Sequence, residues 1–254
     1  MAVENLIVSI QRRKAELEAM RPASAEAVAA LDHLYDIDLT YTSNAIEGNT
    51  LSASETQMVI EKGITIGGKS VREHLEVIDH FEALAYLRSL AGDSRALREA
   101  DVRDLHGLTM RRSAPDSAGG YADRARFVLT RSGRHAFPAP LELPVLMDEF
   151  AAWLTSAPAG PDASFEAHRR LVAIHPFNDG NGRTARLLMN LLLLRDGWPP
   201  LTIRPADRAA YIEALASEQA GRGAEAFDLL MLTRLDACLA DYVAALRQSK
   251  PREG

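Results

Sequence analysis

Apolar positions recur three and four residues apart in stretch after stretch of this chain, and strict alternation is rare. The spacing predicts a first helix over Val3 to Met20 and a second from about Ala25 to Ile46 or Glu47, with Pro22-Ala23-Ser24 between them. Ser52 with Glu55, and Ser70 with Glu73, have the three-residue spacing of a capping box. They open a short helix to Lys62 and a longer one to Leu90-Ala91, stopped by Gly92. Further helices are expected over 98–112, from Pro144 to about Ala157, from Ser164 to Ile174, through the Leu187–Leu194 run to Arg195-Asp196, and over about 205–219 and 224–247. Lys250 to Gly254 should fray. One segment departs from the helical period: Arg126 to Thr130 and Arg134 to Phe137 flank Ser132-Gly133 as in a hairpin. The expected class is therefore all-α, a helical bundle around a central helix-loop-helix, with a small β-hairpin flap.

The loop of that central pair carries the densest chemistry, His175-Pro176-Phe177-Asn178-Asp179-Gly180-Asn181-Gly182-Arg183-Thr184-Ala185-Arg186. Pro176 drives His175 out of helical geometry, so the preceding helix should stop at the histidine. Gly180 and Gly182 tolerate positive φ, and with Asn181 they can converge their N–H groups as an anion-binding nest. They lie where the next helix leaves its first N–H groups unpaired. Arg183 and Arg186 sit on its first turn, where cations oppose the helix dipole unless a polyanion is present. Asp179 offers one carboxylate, which suits Mg²⁺ shared with phosphate oxygens. His175 can move a proton at neutral pH. Each part alone is commonplace: a capping histidine, a Gly-Asn-Gly turn, a solvated arginine pair. Together they describe phosphoryl or nucleotidyl transfer.

Composition narrows the setting. With 47% hydrophobic and 25% charged residues the chain reads as an ordinary globular protein, and its net charge of −6 gives no basic footprint for nucleic acid. The single Cys238 cannot form an intramolecular disulfide, and it falls on an apolar helical face as a small core residue. The first twenty residues contain no continuous apolar signal segment, and the Leu187–Leu194 run is far too short to span a bilayer. A cytoplasmic location and no membrane partner are expected. The histidines show no zinc-ligand spacing.

His175 to Arg186 matches without a gap the pattern His-Pro-Phe-x-Asp/Glu-Gly-Asn-Gly-Arg-x-x-Arg, and on it the chain resembles the Fic (filamentation induced by cAMP) family, mainly protein adenylyltransferases. The resemblance implies ATP as substrate and Mg²⁺ as cofactor. His175 would deprotonate a Ser, Thr or Tyr hydroxyl of a target protein, and Asp179 would hold the metal. Phe177, Gly180, Asn181, Gly182, Arg183 and Arg186 would form the nucleotide site, with Arg183 on the β-phosphate and Arg186 on the γ-phosphate. The target would pair along the flap at about 120–138, a strand-addition mode. Family flaps commonly begin Gly-x-Tyr/Phe-Arg, whereas here Gly120-Tyr121-Ala122-Asp123-Arg124 displaces the arginine.

A second motif adds regulation. Ser43 and Glu47 lie four apart, on one helix face, and Gly48 reads as the residue just past the helix end. A solvated glutamate is the plain reading. Ser43-Asn44-Ala45-Ile46-Glu47-Gly48-Asn49 is, however, similar to the inhibitory helix of Fic proteins, here about 25–47, in which the glutamate pairs with the second arginine of the loop, Arg186. The resemblance implies autoinhibition by Glu47, and in some relatives the same glutamate supports AMP removal. The organisation implied is an N-terminal helical region (1–95), a Fic core (96–204) and C-terminal helices (205–254), with homodimerisation left open.

Two other functions fit parts of the chain. Gly63-Ile64-Thr65-Ile66-Gly67-Gly68-Lys69-Ser70 satisfies the P-loop expression, which demands a buried strand before it and so an NTPase sheet around it. A non-catalytic nucleotide-binding helical adaptor would keep the loop without using His175.

Overall fold

The computed structural model describes residues 2–21, 24–130 and 133–249. The expected Pro22-Ala23 spacer, the Ser132 tip of the hairpin and the fraying of Lys250 to Gly254 lie outside the described residues. In chain order the helices are α1 (Ala2–Ala19), α2 (Ala25–Ile46), α3 (Ala53–Lys62), α4 (Val71–Ala91), α5 (Glu99–Thr109), α6 (Leu143–Ser156), α7 (Pro161–Ile174), α8 (Asn181–Arg195), α9 (Arg208–Gln219) and α10 (Glu225–Ser249). Strands β1 (Phe127–Thr130) and β2 (Gly133–Ala136) pair antiparallel between α5 and α6, with Phe127 opposite Ala136. The all-α class with a small hairpin is the observed one.

Helix α8 is the axis. Eleven of its fifteen residues are buried, as a helix apolar on several faces must be. Met189 and Leu193 face a core shared with Leu17 of α1, Phe165 of α7 and Phe227 and Leu235 of α10. Ala185, Leu187, Leu188 and Leu191 face a second core built from Leu84, Leu105, Met147 and Leu171 on α4 to α7. Each fully buried leucine contributes roughly 1.5–3 kcal/mol, so the position of α8 is held from both sides. The carbonyls of the turn just past its C-terminus are answered by α1 and the segment just after it: Lys14 donates to Asp196 O at 3.3 Å and Gly197 O at 3.1 Å, and Arg21 to Gly197 O at 2.9 Å. Cations at that end complement the dipole and leave its positive pole directed at the loop.

Both expected capping boxes form, at Ser52/Glu55 and Ser70/Glu73. They also decide the P-loop question. Gly63 takes φ 63° and closes α3 through its N–H on Val59 O, and Ser70 caps α4. The segment connects two helices, and the sheet among the described residues is the β1–β2 hairpin. The NTPase alternative has no strand to stand on.

Several boundaries move for local reasons. Helix α7 begins at Pro161, three residues before Ser164, because Gly160 at φ 122° precedes a proline suited to a first turn. Helix α6 begins at Leu143, with Pro144 second. Helix α5 ends at Thr109, where buried Asp79 accepts the N–H groups of Arg112 and Ser113, both at 2.8 Å, and turns the chain. Helix α2 ends at Ile46, so Glu47 lies in the turn after the helix and not in its last turn.

Candidate active site

His175 closes α7 in the left-handed region, φ 51° and ψ 55°, the one non-glycine residue with positive φ among the described residues. Pro176 bars it from αR, and its N–H still reaches Leu171 O at 2.9 Å. Its Nδ1 lies 3.3 Å from Val172 O. A carbonyl can only accept, so the ring proton sits on Nδ1 and Nε2 keeps its lone pair. The ring stacks on Phe137 beside the flap, centroids 3.8 Å apart. Burial holds its pKa down to about 4, with the Arg126 charge adding to the effect and the Val172 carbonyl opposing it. At neutral pH the imidazole is an uncharged base.

The loop is braced from inside. The Asn181 side chain accepts from Phe177 N–H at 2.9 Å and donates to Phe177 O at 2.8 Å. Phe177 is fully buried and stacks on His106 at 3.6 Å. His106 accepts from Gly119 N–H through Nδ1 and donates from Nε2 to Asp179 O, both at 3.0 Å. Gly180 is forced: its φ is 77°, and a Cβ would fall 2.7 Å from Met110 Sδ and 3.2 Å from the His106 ring.

The side chains of Phe177 and Asn181, expected to form part of the nucleotide site, turn inward and brace the loop. Gly182 takes an ordinary helical φ, so only Gly180 supplies the positive-φ turn. Gly182 matters in another way: a Cβ there would meet Glu47 Oε1, so a side chain would displace that carboxylate.

The charged groups converge on the start of α8. Thr184 N–H bonds Gly180 O at 3.0 Å, the first bond of the helix, which leaves the preceding amides outside the ladder. Asp179 is half-exposed beside them, accepting from Gly180 N–H at 2.6 Å and from Arg72 at 2.9 Å. Arg183 is buried, yet its Nε and one terminal nitrogen have no hydrogen-bond partner. Arg186 is also buried and fully engaged: it donates to Ser43 Oγ at 3.0 Å, Ser43 O at 2.9 Å, Glu47 Oε1 at 2.7 Å and Tyr211 Oη at 3.4 Å. The expected pairing of Glu47 with Arg186 is present, and Ser43 adds two further bonds to the same guanidinium.

Residues 96–193 match the Fic/DOC family. The chain is 37% identical over 225 residues, 87% of its length, to Protein adenylyltransferase Fic of Nematostella vectensis, covering 51% of that protein. It is 35% identical to Protein adenylyltransferase Fic of Aedes aegypti over 75% of the chain and 37% of that protein. This chain belongs to the Fic/DOC family. It spans about half the length, or less, of these curated relatives. In fold it is similar to a Fic domain containing signaling protein from Bacteroides thetaiotaomicron, with a TM-score of 0.84, 26% identity, and coverage of 97% of this chain and 100% of that one. It is also similar to a Fic-1 fragment from C. elegans, with a TM-score of 0.83, 29% identity, and coverage of 96% and 72%.

Within this Fic domain a cavity of about 690 Å³ joins His175, Gly182 and Arg186 to α9, where Ile212 and Leu215 give it an apolar wall, and to Val128 and Phe137 at the flap. Its size is that of a small-molecule site. Sequence reading missed His106, Tyr211 and Arg126. Tyr211 accepts from Arg186, so its own proton goes to His168 Nε2 at 2.8 Å. His168 is buried and held neutral, its pKa pushed by burial to about 3. Arg126 lies at the flap base, donating to Pro138 O at 2.6 Å, and supplies positive charge next to His175. No local signal in the sequence ties Tyr211 to a residue on α8.

Proposed function

We propose that this chain transfers AMP from ATP to a side-chain hydroxyl of a protein, and that Glu47 restrains the reaction. The observation that carries the reading is the buried guanidinium of Arg183 on the first turn of α8, whose Nε and one terminal nitrogen have no hydrogen-bond partner. A buried cation with unfilled N–H groups is costly unless an anion completes it. A phosphate chain laid on that helix start would meet Arg183 first and Arg186 one turn on.

In this reading His175 Nε2 takes the proton of the incoming hydroxyl. The hydroxyl oxygen forms a bond to the α-phosphorus as the bond to pyrophosphate breaks, and the proton then leaves to solvent. Among the described residues no three His, Cys, Asp or Glu side chains gather as a metal cage. Asp179 alone beside a phosphate cradle fits Mg²⁺, which takes one or two carboxylates and completes its shell with phosphate oxygens and water. When bound there it would neutralise charge on the phosphates. Phosphate positioning falls to Arg183 and the amides, and Ile212 and Leu215 offer an apolar wall for a base.

Glu47 occupies one terminal nitrogen of Arg186, so a nucleotide whose last phosphate needs that arginine must seat differently. The names of the relatives support adenylyl transfer, and the flap, with β1 and β2 beside His175, supports strand addition of the target. Mass spectrometry of proteins incubated with ATP and the Glu47→Gly form tests the reading. AMP on Ser, Thr or Tyr is expected, and its absence with wild-type and variant alike would contradict it.

A further inference from the structure

Two residues outside both motifs reach the candidate site from α4. Arg72 donates through one terminal nitrogen to Asp179 Oδ2 at 2.9 Å and through Nε to Glu76 Oε1 at 3.1 Å. The same Glu76 oxygen lies 3.8 Å from Arg183, and Arg183 lies 3.5 Å from Asp179 Oδ1. Arg72, Asp179, Arg183 and Glu76 therefore close a ring of alternating charge. Arg72 and Glu76 are one helical turn apart, the spacing that brings side chains together on one face. Glu76 is further held by Asn49, which donates to its Oε2 at 3.1 Å from the turn that carries Glu47.

The ring has a chemical meaning. Asp179 is the carboxylate that fits a divalent cation, and in the ring a guanidinium answers it. Arg183 is the cation that fits phosphate, and in the ring a carboxylate stands beside it. Helix α4 thus presents to the site the charges that a metal–phosphate pair would bring. An isolated exposed Arg–Glu pair on a helix contributes little. This one differs because its partners across the ring are a buried arginine with unfilled donors and the carboxylate at the start of α8.

We propose that Arg72 and Glu76 are specificity-determining residues that set how this site discriminates between metal-bound and bare nucleotide, Glu76 favouring the metal-bound form and Arg72 tempering that preference. The inference rests on the nucleotide site proposed above. A bare polyphosphate arriving at Arg183 meets the carboxylates of Glu76 and Asp179 as like charges. A nucleotide that brings its cation gives Asp179 a new partner and frees Arg72 to stay on Glu76. Arg72 opposes the metal at Asp179 in the free protein, yet it softens the repulsion that bare phosphate feels.

These two effects have opposite signs, and that makes the test decisive. ADP needs no γ-phosphate contact, so its binding separates this ring from the Glu47–Arg186 pair. Calorimetry with ADP, with and without Mg²⁺, compares the His175→Ala protein with the same protein carrying Arg72→Gln. Arg72 is more than half exposed, so the substitution leaves the fold in place, and matched melting curves verify this. Removing Arg72 is expected to tighten binding of ADP with Mg²⁺ by at least ~3-fold, and to weaken binding of metal-free ADP. If Arg72→Gln weakens both forms alike, the arginine is merely a cation near an anion site and the inference is overturned. No change in either form overturns it as well. If neither protein binds ADP under any condition, the nucleotide site fails, and the inference with it.

Discussion

Glu47 rests against Gly182, its Oε1 filling the space that any Cβ at that position would need, and from there it bonds Arg186 at 2.7 Å. The missing side chain at Gly182 is thus what admits the Glu47 carboxylate to the first turn of α8.

Removing that carboxylate should release the site. With Glu47→Gly, Arg186 keeps its bonds to Ser43 and Tyr211 and gains a free donor. Seating errors of about an ångström cost on the order of a hundredfold in rate, so AMP transfer, including self-modification, should rise by at least ~10-fold. Labelled-ATP incorporation measures it, and a rate equal to wild type would remove Glu47 from any regulatory role.

His175 should be needed for chemistry and not for binding. Loss of a general base costs about 10²- to 10⁴-fold, and in the proposed mode the phosphates are held by Arg183, Arg186 and the amides of α8 rather than by the imidazole. His175→Ala should therefore abolish transfer while ADP affinity, measured by calorimetry, stays within a few-fold.

Stability should depend on acid in a specific window. Burial holds the folded-state pKa of His175 and His106 at about 4, and of His80 and His168 at about 3. An unfolded histidine titrates near about 6.5, so the unfolded chain takes up protons first as pH falls. The contribution is complete above that value and is lost progressively toward pH 4. The melting temperature should be level from pH 7 to 8 and fall already between about 6.5 and 5. A level profile down to pH 5 would mean that these rings are not buried uncharged.

The loop brace should be costly to disturb. Gly180→Ala meets both a positive φ and the contacts with Met110 and His106, and such strain with overpacking costs ~1–3 kcal/mol. Asn181→Ala strips the Phe177 backbone of two bonds in a buried setting, a loss of about 2–4 kcal/mol. Denaturant unfolding measures both, and a change below about 0.5 kcal/mol for Asn181→Ala would show that the loop does not depend on the brace.

Much of this was legible in the sequence because it is local. Capping serines, the proline after His175 and the 3.6-residue period each act within a few positions, and those elements appeared where expected. The partnership of Glu47 with Arg186 spans well over a hundred residues, and it was legible only through a family motif. Phe177 and Asn181 show the limit of that route. A motif marks which residues a loop requires and does not say which of them face inward. Arg72, Glu76, His106 and Tyr211 were not legible as site residues, because their contacts arise from packing α4, α5 and α9 against α8.

The central claim is that the start of α8, with His175 beside it, supports nucleotidyl transfer. Parallel incubation of the Glu47→Gly protein with ATP labelled at the α- or the γ-phosphate, with Mg²⁺, tests it most directly. Protein-bound label from the α-phosphate alone, with release of pyrophosphate, is the predicted result. Label from the γ-phosphate, or release of inorganic phosphate with no label on protein, would contradict it.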